Sequence, residues 1–123
     1  MAKFIYYNVN PLGMHEKDCV VRAISLATST DYLDVIELLE SNSGINSCDT
    51  LVVGCYSYLL DNYFKFRKVN CDDMTVRDFA KYHPFGIFII RMDGHLSTLI
   101  NGVCYDIWNC TNEKLTDVWR VDS

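Results

Sequence analysis

The sequence has no C-x-x-C pair and no Cys/His cluster at zinc-finger spacing, although it carries six cysteines, at 19, 48, 55, 71, 104 and 110. A structural zinc site of the usual kind is therefore not expected, and in a reducing cytosol an even cysteine count argues little for disulfides. Also missing is any run of Lys or Arg longer than Arg67-Lys68. With 11 basic against 16 acidic residues the formal charge is −5, which argues against nucleic acid as a partner, since the phosphate backbone is bound by clustered positive charge. No apolar run approaches membrane-spanning length, and Met1-Ala2-Lys3-Phe4-Ile5-Tyr6-Tyr7-Asn8 turns polar too soon for a signal h-region. The expectation is a soluble cytoplasmic protein with no membrane partner. Internal repeats, low-complexity segments and linkers are absent too.

What is present is enough to build one core. A chain of 123 residues with 50% hydrophobic and 13% aromatic content folds as a single domain spanning 1–123 rather than remaining disordered. Its organising stretch is Asp18-Cys19-Val20-Val21-Arg22-Ala23-Ile24. Aspartate is a favoured N-cap, so Cys19 is expected as the first helical residue, among backbone N–H groups whose partial positive charge favours thiolate over thiol. The competing reading is that Cys19 is a small core hydrophobe, as free cysteines often are.

Along the chain, residues 3 to 8 read as a short strand or extended arm, followed by the turn Asn10-Pro11-Leu12-Gly13. Val20, Ala23, Ile24 and Ala27 fall at helical spacing from Cys19 to about Thr28, with Arg22 and Ser25 off the stripe. Ser29-Thr30-Asp31 offers a cap for a second, amphipathic helix from Tyr32 that ends in the polar stretch Ser41 to Asp49. Leu51 to Tyr63 predicts a third helix, weakened by Val52, Val53 and Gly54, and Phe64 to Val69 alternates like a half-exposed strand. Thr75 caps a short helix, Val76 to Tyr82, stopped by Pro84 and Gly86. Ile87–Met92, His95–Ile100 and Val103–Trp108 predict three strands joined by Asp93-Gly94 and Asn101-Gly102 hairpins, with Leu115 to Val121 as a possible fourth. Helices first and an antiparallel meander second predict an α+β fold with the helices on one face of the sheet.

A thiolate nucleophile needs a base within hydrogen-bond reach and a group that orients the base. A two-residue Asn101-Gly102 loop makes Ile100 oppose Val103, so Ser97 opposes Asp106 and His95 opposes Trp108. His95, Ser97, Leu99, Cys104, Asp106 and Trp108 then share a face, with Asp106 the diagonal neighbour of His95 at about 7–8 Å between backbones. A three-residue loop would shift the parity and put Asn109 in place of Asp106. His15, in the polar approach loop, and His83, before Pro84, read as surface residues.

The order Asp-Cys at a helix start, His on a strand and Tyr-Asp on the next resembles the papain-like cysteine peptidase superfamily, particularly its small bacterial bacteriocin-processing and peptidoglycan-amidase members. The stretches Asn10–Gly13, Asp18–Ile24, Thr75-Val76-Arg77-Asp78-Phe79, Gly94-His95-Leu96 and Tyr105-Asp106-Ile107-Trp108 also resemble short proteins of Firmicute genomes and their phages, over nearly the whole chain. The resemblance implies a papain-like fold with Cys19 as nucleophile, His95 as base and Asp106 as orienting residue. The family's oxyanion glutamine, about six residues before the cysteine, is Gly13 here. Asn10 is the nearest amide that could substitute, together with the Cys19 backbone N–H, and loss of such a donor can cost roughly 10²–10³ in rate.

The leading expectation is a cysteine-dependent hydrolase, a peptidase, isopeptidase or amidase acting on a protein or peptide through a thioester, with deamidation or acyl transfer open to the same intermediate. The alternative is an idle papain-like binding module, such as a phage-encoded inhibitor of a host defence protein in the host cytoplasm. Its acidic surface and 8 tyrosines suit protein recognition. No cofactor or metal is indicated.

Overall fold

A computed structural model describes residues 3–10, 18–46 and 53–121. The chain runs β1 (Lys3–Tyr6), α1 (Cys19–Thr28), α2 (Tyr32–Asn46), α3 (Val53–Tyr58), a π-helical turn (Leu59–Tyr63), β2 (Arg67–Lys68), α4 (Val76–Tyr82), β3 (Ile87–Met92), β4 (His95–Ile100), β5 (Val103–Asp106) and β6 (Leu115–Arg120). These form an α+β fold around one six-stranded sheet of order β1-β5-β4-β3-β6-β2. Among the described residues no helix is long and apolar enough to cross a membrane.

The meander of β3, β4 and β5 forms as expected. Asn101 (φ 48°) and Gly102 (φ 80°) both take positive φ, the requirement of a two-residue turn matched to strand twist. Ile100 then pairs with Val103, Leu99 with Cys104 and Thr98 with Tyr105. The sheet as a whole is mixed, however, because β1 pairs parallel with β5, from Lys3↔Val103 to Tyr6↔Asp106. β6 returns antiparallel to β3 on the far side of the meander.

The helices occupy both faces rather than one. Val20, Ala23 and Ile24 of α1 pack with Val35 and Leu39 of α2, Leu60, and the sheet residues Ile89, Leu96 and Trp119. On the opposite face Val76, Phe79 and Ala80 of α4 pack against Phe88, Ile90, Leu99, Cys104 and Val118. Continuous apolar runs such as Ile87-Phe88-Ile89-Ile90 suit a strand covered on both sides, which alternation alone would not demand.

Element ends depart from expectation for local reasons. Lys65 takes φ 57° and Phe66 N–H donates to the Leu60 carbonyl, so the strand expected from Phe64 shrinks to Arg67–Lys68. α2 runs on to Asn46, well into the polar stretch expected to stop it, and Asn42 within that stretch is buried. Tertiary burial there outweighs weak propensity. β5 stops at Asp106 instead of Trp108 because the Asp106 carboxylate takes the Ile107 N–H at 2.7 Å, a local bond that competes with a ladder. Leu51, Val52, His15, Cys48 and the turn from Pro11 to Gly13 lie outside the described residues.

Thr75 Oγ accepts the Asp78 N–H at 3.1 Å and the Asp78 carboxylate accepts the Thr75 N–H at 3.2 Å, a complete capping box for α4. Thr75→Ala is expected to lower stability by about 1 kcal/mol in urea unfolding, while Thr75→Ser stays near wild type.

Candidate active site

Cys19 is the first residue of α1 and is half-buried. Asp18 holds the N-cap position, but its side chain makes no capping hydrogen bond, contrary to the sequence expectation. Its carboxylate turns to Arg22 Nε at 2.6 Å and to the Tyr32 hydroxyl. The Asp18 side chain therefore does not occupy the first-turn N–H groups of α1, and the positive end of the helix dipole lies beside the sulfur. The helix is fixed on the sheet by apolar packing and by Thr98 Oγ, which donates to the Ala23 carbonyl at 2.9 Å.

His95 opens β4 and Asp106 closes β5. Beyond the last ladder pair, Thr98↔Tyr105, the two strands are linked by side chains. Ser97 Oγ donates to Asp106 Oδ2 at 2.6 Å, and His95 Nε2 lies 2.6 Å from the same oxygen. The half-exposed Trp108 indole stands nearly perpendicular to the His95 ring, with ring centres 5.0 Å apart. The side chains placed on one face by the hairpin register are thus brought together, and Asp106, not Asn109, orients the imidazole. Asn109 Oδ1 instead accepts the Thr111 N–H and hydroxyl, at 3.1 and 2.7 Å.

Alternation puts Leu99, Cys104 and Asp106 toward α4 and Thr98 toward α1. The helix that carries Cys19 and the Asp106 carboxylate therefore start on opposite faces, and they meet at the end of the sheet where the β4–β5 ladder stops. There Arg22 of α1 reaches Asp106 Oδ1 with Nη1 at 2.7 Å while its Nε holds Asp18. Both ion pairs are buried. Arg22, which the sequence reading gave no role, and Asp18, which it expected only as a cap, thus join the candidate site's charge network. Their i,i+4 spacing was the available signal, with Arg22 off the apolar stripe and on the turn next to Cys19.

Asn10 is brought near this network, but not as an oxyanion donor. Its Nδ2 donates to Asp18 Oδ2 at 3.1 Å and to the Tyr32 hydroxyl at 3.3 Å, which uses both amide hydrogens inside a buried cluster. His83 lies elsewhere, half-buried and stacked on Phe79 at 4.1 Å. Cys104 and Cys110 are fully buried with their sulfurs 3.4 Å apart, and Ser97 Oγ lies 3.6 Å from Cys104. Ligand atoms of His95, Asp106 and Cys110 lie within 4.8 Å of one another. A cation placed among them would have to displace the His95–Asp106 hydrogen bond.

The electrostatics favour a charged pair. Burial pushes the Cys19 thiol up, but hydrogen bonds from His95 and the Leu96 N–H, with the charges of His95 and Arg22, outweigh it and leave the thiol below its ordinary value. With Nε2 committed to Asp106, Nδ1 is the nitrogen left for Cys19. Burial alone would lower His95, yet its hydrogen bonds to Asp106 and Cys19 and their charges raise it to about 9. Asp106 is likewise penalised by burial, but the His95 and Ser97 hydrogen bonds, the His95 charge and Arg22 hold it at about 2. Each of the three shifts runs in the direction of a thiolate–imidazolium pair with the carboxylate behind it.

Two outcomes follow from this wiring. Arg22→Leu strands two buried carboxylates, and should cost about 3–5 kcal/mol in urea unfolding at neutral pH, recovering in part as acid neutralises them. His95 rises from 6.5 unfolded to about 9 folded, so its charge-linked stabilisation is complete below the unfolded value and lost as pH climbs through the folded one. The stability gap between wild type and His95→Gln should therefore narrow across that window in a pH series of denaturant melts.

Set beside known proteins, the chain matches no family model, no curated protein and no solved structure.

Proposed function

We propose that this chain is a small papain-like thiol hydrolase in which Cys19 is the nucleophile, His95 the acid and base, and Asp106 the group that orients His95. The observation that carries this reading is a sulfur at a helix N-terminus lining one cleft with an imidazole whose Nε2 is held at 2.6 Å by a buried carboxylate. Cysteine alone, or a histidine–aspartate pair alone, is ordinary in a protein of this size. The three in series are the arrangement that nucleophilic catalysis requires.

In the reaction, the Cys19 thiolate attacks the carbonyl carbon of an amide, forming the C–S bond and moving an electron pair onto oxygen. First-turn N–H groups of α1, that of Cys19 included, face the developing oxyanion and replace the missing glutamine. The His95 imidazolium gives its proton to the amine nitrogen, the C–N bond breaks, and a thioester remains. Neutral His95 then takes a proton from water as the oxygen attacks, and breaking the C–S bond restores the thiolate. Asp106 stabilises the imidazolium at both ends of the cycle and keeps the ring in the tautomer that presents Nδ1 to sulfur. A second amine in place of water gives acyl transfer, and a side-chain carboxamide as substrate gives deamidation. The substrate class is a protein or peptide.

The deciding experiment is iodoacetamide alkylation of each cysteine across pH, mapped by peptide mass spectrometry. Cys19 should react at pH values well below the ordinary thiol range of about 8.5. His95→Ala should return it to that range, and Asp106→Asn should do so in part. Ordinary titration of Cys19 in the wild type would remove the hydrolase reading.

A further inference from the structure

Beside Cys19 and His95 lies a cleft of about 130 Å³ whose wall includes Tyr56, Arg91, Gly94 and Leu96. Pockets for drug-sized ligands run to roughly 300–1,000 Å³, so this one admits a group of a few heavy atoms and not an extended peptide. Its charge is uneven. Arg91 Nε donates to Asp117 Oδ2 at 2.6 Å, and Lys68 Nζ takes the other oxygen of the same carboxylate at 2.8 Å. Two cations thus share one anion and leave a net positive charge. Among the described residues the guanidinium has no second partner, so its Nη donors are uncommitted. Tyr56 is 4% exposed and brings a hydroxyl to the same wall.

Alternation places Arg91 on the α1 face of β3, opposite Leu96 of β4 and beside Asp117 of β6. It therefore stands next to the backbone that donates to the Cys19 sulfur. A planar fork of uncommitted N–H donors is the side chain best matched to a carboxylate, which it can hold through two parallel bonds.

We infer that this cleft is a carboxylate subsite, with Arg91 as its anchor, selecting substrates that carry a free carboxylate within a few bonds of the amide attacked by Cys19. The inference rests on the thiol hydrolase reading for its role, but the binding itself does not. The carboxylate could be a chain terminus or an acidic side chain, since the chemistry that recognises them is shared. Tyr56 is a second donor to the same group. Asp117 is a positioning residue that aims the guanidinium.

Two measurements test it. The first compares alkylation of Cys19 by iodoacetate and by iodoacetamide; in each, sulfur bonds to the methylene carbon and iodide leaves. Relative to a small free thiol, wild type should prefer iodoacetate, and Arg91→Gln should lower that preference about fivefold or more while leaving the iodoacetamide rate nearly unchanged. Arg91→Lys, which keeps the charge but not the fork, should fall between. An unchanged preference in Arg91→Gln overturns the inference.

The second follows the Arg91 Nε–Hε resonance of the wild-type protein during titration with N-acetylglycine, N-acetylaspartic acid α-amide and N-acetylglycinamide. A shift with either carboxylate but not with the neutral amide supports the subsite, and the stronger of the two acids names the source. No shift, or equal shifts with all three, overturns it. This arm reads binding even if Cys19 proves an ordinary thiol, so failure of the subsite and failure of the hydrolase reading give different results.

Discussion

Everything at the sheet end depends on how one buried carboxylate is satisfied. Asp106 accepts from His95 Nε2 and Ser97 Oγ on one oxygen, and from Arg22 Nη1 and its own following N–H on the other. A buried anion without such partners would neutralise itself by taking up a proton. With four donors it stays ionised, and each donor ties in a different part of the fold. His95 and Ser97 come from β4, Arg22 from α1, and the Ile107 N–H ends β5. The requirement to keep this group charged therefore sets where the strand stops, where the helix sits and which way the imidazole faces.

Arg22 extends the same logic into the helical layer. Its two buried ion pairs place a positive charge between Asp18 and Asp106, and Asp18 is in turn held by Tyr32 and Asn10. A chain of this kind adds little to net stability, because desolvation cancels much of the attraction, but its geometry is unforgiving once one member is lost. What it supplies is position. The first turn of α1 is locked against the end of β5, which brings a helix N-terminus and a strand-borne imidazole to one point. The same residue choice turns the Asp18 carboxylate away from the first-turn N–H groups of α1.

Much of this was legible locally. The start of α1 at Cys19, the capping of α4 by Thr75 and the pairing of Ile100 with Val103 each follow from signals within a few residues. The same-face placement of His95, Ser97 and Asp106 follows from counting along an Asn-Gly hairpin. Asn10 shows where such reading stops. An amide shortly before a nucleophilic cysteine is a reasonable oxyanion donor by position, yet its hydrogens go to Asp18 and Tyr32, the latter 22 residues away. Arg22 falls off the apolar stripe, and a charged residue in that position is exposed only when no buried counter-charge awaits it.

The sequence by itself determined the elements that short-range physics controls: turn residues that tolerate positive φ, caps that match orphan N–H groups, and strand alternation that assigns side chains to faces. Tertiary structure decided the parallel seating of β1 on β5, the placement of α4 on the face opposite α1, and the recruitment of Arg22 and Asp18 into the charge network. These depend on contacts between distant segments. Burial there changes the energy of a charge by more than any local preference does, so only the assembled fold settles which partners each ionised group can keep.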